Sequence, residues 1–349
     1  MKVLFVMDRR NDAGSIQAVA NYIRAGEELG HTLAVYGREE AGFPGVRFSL
    51  EAGAFDYAVF VFESKLRWMS GVQLAPVLSA IPRIRRAVLD ADGMYNQRIT
   101  LDDYDRNHAS EQDRREWVAH CDRLAERILQ PTLSPREARV RPLLFYGYDP
   151  DSRVRPAPEK QADIVLVAHN WWRWRELSER LLPAIEGIRS RLDGIRFVGA
   201  WWDGAPPWAG YLGLEQAFSV DPERLRRLRI HVADPVPYTE VIQTMSQGRL
   251  NIMTQRPLLR ALGFVTSKYF EIFCADTVPL VMIPPEQAEM VYGPAGRELS
   301  LHEGMAEKLL DVLARPARYR ELVEQVRRRL AERHSYRQRV IELAAALEA

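Results

Sequence analysis

Four polar residues, Thr266, Ser267, Lys268 and Glu271, gather where an apolar strand pattern and a polar loop give way to a helical pattern. Free backbone N–H groups at a helix start attract anions, and a lysine beside them adds positive charge. That grouping suits a phosphorylated sugar nucleotide, with the carboxylate one turn on gripping the ribose hydroxyls. The plainer alternative makes Thr266 and Ser267 N-cap residues, and Lys268 and Glu271 an ordinary exposed ion pair three residues apart on one helix face.

A second group follows the apolar run at residues 164–168: His169, Asn170, Arg173 and Arg175, interleaved with Trp171, Trp172 and Trp174. A cation in the first turn of a helix is disfavoured by the helix dipole unless an anion sits there. A bound diphosphate is such an anion, and arginine matches its oxygens fork to fork. Alternatively Arg175 pairs with Glu179, four residues on, and the tryptophans are core.

Three further candidates lie in the first half. Asp90 and Asp92 stand one residue apart after a strand, as divalent-cation ligands, as a general base toward an acceptor hydroxyl, or as an Asx-turn. Gly14 and Ser15 end the loop DRRNDAGS, where a ligand can approach the backbone at a helix start, but no full dinucleotide fingerprint surrounds them. Glu63, Ser64 and Lys65 follow the strand VFVF as a polar site or a solvated loop.

The elements that must position these residues alternate. Apolar runs at residues 3–7, 32–36, 57–62, 86–89, 127–130 and 143–146 read as strands, with helices at residues 16–29 and before residue 127. After Pro150, Pro156 and Pro158 the pattern restarts with strands at residues 164–168, 195–198, 229–232 and 250–253. The expectation is an α/β protein of two Rossmann-like, doubly wound domains facing across a cleft, with ligands at the carboxyl ends of the strands. Residues 1–150 form the first domain, 151–162 a linker, 163–330 the second domain and 331–349 a terminal helix. The tryptophans at 68, 171–174 and 201–208 either pack or stack on sugar rings.

The 349 residues suffice for two cores, and 48 Lys plus Arg against 47 Asp plus Glu give no general attraction to nucleic acid or membrane. Cys121 and Cys274 have no partner at metal-ligand or redox spacing, which fits small buried thiols in a reducing cytoplasm. No apolar run reaches the ~20 residues a membrane span needs. The N-terminal run MKVLFVMDRR reads as a strand and not as a signal peptide.

R-E-L at Arg175 to Leu177, PYTEVIQTMSQGRLNIM from Pro237, TSKYFEIFCADTVPLV from Thr266 and AERHSYRQRV from Ala331 resemble the CgeB-like glycosyltransferases, a branch of the GT-B superfamily. The layout is also similar to that of the phage DNA β-glucosyltransferases, which carry Arg-x-x-Glu where this chain has Lys268 to Glu271. The resemblance implies a glycosyltransferase that takes a nucleoside-diphosphate sugar without a tightly bound metal. By position, Glu271 binds the ribose, Lys268 and Arg175 the diphosphate, and the backbone near Tyr238 the base. Thr266, Ser267, Arg173 and Asn170 would complete the donor side. Asp92 or Asp90 would face the acceptor, a small molecule, a glycan or modified DNA, and the terminal helix would return to the first domain. Lysine in place of the family's arginine cannot make the same two-pronged contact, and a silent nucleotide-sugar binding protein is the reading from a different class.

Overall fold

The computed structural model describes residues 1–8, 14–62, 74–101, 105–154 and 159–349, so Glu63, Ser64, Lys65 and Trp68 lie outside the described residues. The chain divides into two compact units. The first comprises Met1–Gly147, Ala261–Ser267 and His334–Ala349; the second comprises Tyr148–Arg260 and Lys268–Arg333.

In the first unit the main sheet is built from β1 (Lys2–Met7), β2 (Thr32–Tyr36), β3 (Phe48–Ser49), β4 (Tyr57–Phe62) and β5 (Arg86–Asp90). After a small antiparallel ladder of β6 (Thr100–Leu101) and β7 (Asp105–Arg106), it is completed by β8 (Arg127–Gln130) and β9 (Val140–Pro142). Every neighbour in the order β3-β2-β1-β4-β5-β8-β9 is parallel. Side chains alternate across a strand, so β1 sends Val3, Phe5 and Met7 into one core and Leu4 and Val6 into the other. Burial on both faces is why these strands are unbroken apolar runs. The first core receives Tyr22 and Ile23 from the helix Gly14–Glu28 and Val340, Leu343 and Leu347 from the terminal helix Tyr336–Glu348. The second receives Trp117 and Cys121 from the helix Glu111–Leu124.

The strand expected at residues 143–146 lies earlier, at Val140–Pro142. Its partner β8 ends at Gln130 because Pro131 has no N–H to continue the ladder, and Leu143 N–H donates to Gln130 O at 2.9 Å as the last rung. Leu143 and Phe145 are still buried, but against the helix Gly14–Glu28 side of the sheet.

The second unit holds β10 (Ala162–Val167), β11 (Ile195–Val198), β12 (Ile230–Ala233), β13 (Gly248–Met253) and β14 (Val278–Val281), all parallel, in the order β12-β11-β10-β13-β14. The order reverses at β10, so the loops after β10 and β13 leave the sheet on either side of a crevice, the usual ligand position in such sheets. The amphipathic helix expected after β10 contains a π-helical turn at Leu177–Leu181, followed by helix at Leu182–Ile188. Pro183 accounts for the widened turn, since it offers no N–H to the carbonyl four residues back and its ring crowds that carbonyl. The polar loop expected at residues 254–265 contains a helix of its own, Pro257–Ala261.

Leu343→Ala removes a fully packed side chain from the terminal helix, and a loss of about 2–5 kcal/mol is expected in the unfolding transition of the first unit. Urea titration followed by tryptophan fluorescence measures it; an unchanged midpoint would show that the terminal helix does not contribute to that core.

Candidate functional site

The loop after β10 is built around a buried amide. Asn170 Nδ2 donates to Trp201 O at 3.0 Å and Ser219 O at 2.8 Å, and its backbone N–H to Ala200 O at 2.9 Å. Asn170 therefore ties its loop to the tryptophan-rich segment after β11. That segment packs on itself: Phe218 lies 5.0 Å from Trp171, 4.8 Å from Trp201 and 5.3 Å from Trp208, ring centre to ring centre. Trp202 is fully buried and donates from Nε1 to Ala168 O at 2.8 Å. Trp172 and Trp201 adopt φ of 58° and 69°, a left-handed backbone costing about 1–3 kcal/mol each for such residues. The aromatic packing holds this strain, and it sets the path of the loop that carries the arginines.

Arg173 is turned inward. Its Nη1 donates to His169 O at 3.0 Å and Trp171 O at 3.1 Å, while Nε is buried without a hydrogen bond among the described residues. Burial, and then the charge of Arg256, push its pKa down to about 10. Three residues on, Glu176 is buried, accepts from Arg180 Nη1 at 2.9 Å and pairs with Arg260. Arg180 also donates to His302 O at 2.6 Å. Arg256, from the loop after β13, sits over the Trp172 ring at 5.9 Å. Arg180 and Arg260 thus pair with one buried carboxylate, while Arg173 and Arg256 lie near one another beside Trp172, on the loops that follow β10 and β13. Their mutual repulsion favours an anion there. Arg256, Arg260 and Glu176 are not among the site candidates of the sequence, because the short helix Pro257–Ala261 that carries Arg260 lies within a stretch that reads as loop.

Arg175 points elsewhere and pairs with Glu179, Nε to Oε1 at 3.0 Å, the plainer of the two alternatives. An exposed pair of this kind is worth under about 1 kcal/mol, so it does not bar the side chain from another anion.

Glu271 joins two of the candidates. Tyr238 Oη donates to Glu271 Oε1 at 2.9 Å, and Lys268 Nζ lies 2.8 Å from Glu271 Oε2. Glu271 is only 8% exposed, so both contacts act in a weakly screened setting. Lys268 also lines a small recess with Val167, Ala168, Met253 and Thr254, at the carboxyl ends of β10 and β13. Tyr269 Oη donates to buried Gln255 Oε1 at 2.8 Å, which fastens the short helix Lys268–Glu271 to the loop after β13. Tyr238, Lys268, Glu271 and the arginines therefore share one end of one sheet.

The remaining candidates belong to the first unit. Asp90 is fully buried and accepts from Met94 N at 2.8 Å, Tyr95 N at 2.7 Å and Gln130 Nε2 at 2.8 Å. Burial pushes its carboxyl pKa up, and the three donors offset only part of that. Asp90 thus shapes the turn after β5, while Asp92 is half-buried beside it. Gly93 in that turn has φ of 73°, and a Cβ there would meet Leu262 Cδ1 at 2.4 Å. Ser15 is buried near the start of the helix that opens at Gly14, and its Oγ makes no hydrogen bond among the described residues. Thr266 and Ser267 are half-buried on the segment Ala261–Ser267, which joins the first unit: Val265 N–H donates to Pro131 O at 2.7 Å, and Phe264 bridges Thr132.

Residues 175–345 match the family described as glycosyl transferase-like. No curated protein matches the chain significantly. Among solved structures, an α-glucosyltransferase in complex with UDP and a 13-mer DNA aligns with a TM-score of 0.62 at 11% identity over 100% of both chains. Anabaena HepE in complex with UDP aligns with a TM-score of 0.61 at 11% identity, also over 100% of both chains. T4 phage β-glucosyltransferase in complex with UDP-glucose gives 0.56 at 11%, again over 100% of both chains. At such identities the likeness is one of fold, and that fold is GT-B.

Glu176→Ala leaves the arginines around it without their shared carboxylate, and a loss of about 3 kcal/mol is expected, the low end for a broken buried pair because the arginines are partly exposed. Thermal denaturation checks it. Added pyrophosphate should recover part of the loss, and a variant as stable as the parent in anion-free buffer would contradict the charge crowding.

Proposed function

We propose that this chain, whose residues 175–345 match the glycosyl transferase-like family and whose fold is GT-B, moves a sugar from a nucleoside-diphosphate sugar to an acceptor hydroxyl. The observation that carries this reading is the closing of Tyr238 and Lys268 on the two oxygens of Glu271, at the strand ends where the arginines collect. In this reading Glu271 accepts from the ribose hydroxyls, and the backbone near Tyr238 contacts the base. Lys268, Arg173 and Arg175 hold the diphosphate, and Arg256 and Arg260 add to the positive field. Asn170 holds the loop that carries Arg173, and Thr266 and Ser267 lead into the Lys268 turn. UDP, present in the HepE and α-glucosyltransferase complexes, is the first nucleotide to test.

The step is displacement at the anomeric carbon. The acceptor oxygen bonds to that carbon, the bond to the diphosphate oxygen breaks, and the acceptor proton passes to a base. Negative charge grows on the departing nucleoside diphosphate, where fixed cations act most strongly. These cations support a metal-independent reaction, and the free buried thiols of Cys121 and Cys274 support a reducing cytoplasm as its compartment. Asp92 is the proposed base, since Asp90 spends its oxygens on the turn. Gly14 and Ser15 are proposed to let a ligand approach the first helix. No helix among the described residues is long and apolar enough to cross a membrane. Modified DNA is a narrower acceptor reading, supported by the DNA-bound α-glucosyltransferase.

Titration calorimetry with UDP tests the donor site. Lys268→Ala is expected to weaken binding about tenfold to a hundredfold, the worth of one hydrogen bond to a charged group, and full binding with full turnover would reject the assigned role. With UDP-sugars alone, slow release of UDP is expected; protection from unfolding without released nucleotide would identify a binding protein instead. If DNA is the acceptor, turnover falls steeply with added salt, and salt-insensitive turnover rejects it.

A further inference from the structure

At the opposite, amino-terminal end of the second unit's sheet lies a cavity of about 560 Å³, within the range of small-molecule sites. It is bounded by Arg249 and Leu250 at the start of β13, Val278 at the start of β14, and the helix Pro316–Arg333. Its floor is apolar, formed by Leu250, Val278, Val312 and Val323. Five cations, Arg153, Lys160, Arg249, Arg320 and Arg327, line it against two acids, Asp276 and Glu324.

Most of these cations are held in place by the fold. Arg327 donates to Phe273 O at 2.8 Å, Ala275 O at 2.6 Å and Glu324 at 2.5 Å. Lys160 Nζ donates to Ser246 O and Asp276 Oδ2, both at 2.8 Å. Arg153 pairs with Glu324 at 2.9 Å and Arg249 with Asp163 at 3.2 Å. Glu324 is thus shared by two arginines, and the Glu324 carboxyl is held below its usual range by Arg327 and Arg153 against the opposing effect of burial. Arg320 makes no ion pair among the described residues and stands exposed at the cavity's edge. The paired cations hold the cavity's walls in place, and the apolar floor rewards a ligand with a hydrocarbon or aromatic body.

We propose that this cavity is a second ligand site, for a small amphipathic anion whose apolar body lies on Leu250, Val278 and Val323 and whose carboxylate or phosphate meets Arg320. It is separate from the donor site and does not depend on the function proposed for it.

The probe is 8-anilinonaphthalene-1-sulfonate, titrated calorimetrically into the full chain both with and without UDP. One site per chain is expected. Arg320→Glu should weaken it at least tenfold, and Leu313→Trp, which fills the cavity from its half-buried wall, should abolish it. Both variants should keep the parent's circular-dichroism spectrum and cooperative thermal unfolding, which shows that they are folded. Decanoate and hexyl phosphate, competing separately, identify the preferred head group, and inorganic phosphate should compete far more weakly than either. Parent-like binding of the probe by both variants overturns the site. Displacement by inorganic phosphate as effective as by the amphiphiles overturns the apolar half of the assignment.

Discussion

A parallel sheet buried on both faces forces its polar chemistry to the strand ends. In the second unit, Ile164, Leu166, Leu250 and Ile252 are almost wholly excluded from water, so no charged group can stand along β10 or β13 except at the rims. The rims are where the chain spends its cations. At the carboxyl rim they surround Glu176 and Glu271, and at the amino rim they surround Glu324 and Asp276. Glu176 and Glu324 each pair with two arginines, while Glu271 and Asp276 each pair with one lysine, in a chain whose formal net charge is only +1.

The carboxyl rim also depends on strain held by packing. Trp172 and Trp201 sit in left-handed backbone because the ring cluster around Phe218 and the Asn170 side chain leave them no relaxed alternative. This stitching holds half-buried Arg173 near Arg256, with its Nε lacking a hydrogen bond among the described residues. In a loosely packed loop the two guanidinium groups would separate into solvent.

The two carboxylates read as a pair in the first unit show how burial divides like residues. Asp90 and Asp92 differ by one position, yet the turn after β5 draws Asp90 into three hydrogen bonds and leaves Asp92 nearer the surface. A buried carboxylate that accepts several backbone and amide hydrogens organises the turn around it.

The alternation of apolar runs determined the α/β class and most strand positions, because strands buried on both faces can be written in few other ways. The spacing of Lys268 and Glu271 likewise determined that they share a helix face. Tertiary structure decided which partners they have. Tyr238 reaches Glu271 from 33 residues away, and Arg260 reaches Glu176 across 84, separations to which local pattern is blind. It also decided that Ala261–Ser267, which continues directly into the Lys268 turn, joins the first unit through the rung from Val265 to Pro131. Periodicity records which side of an element is buried; only the closed fold specifies what it is buried against.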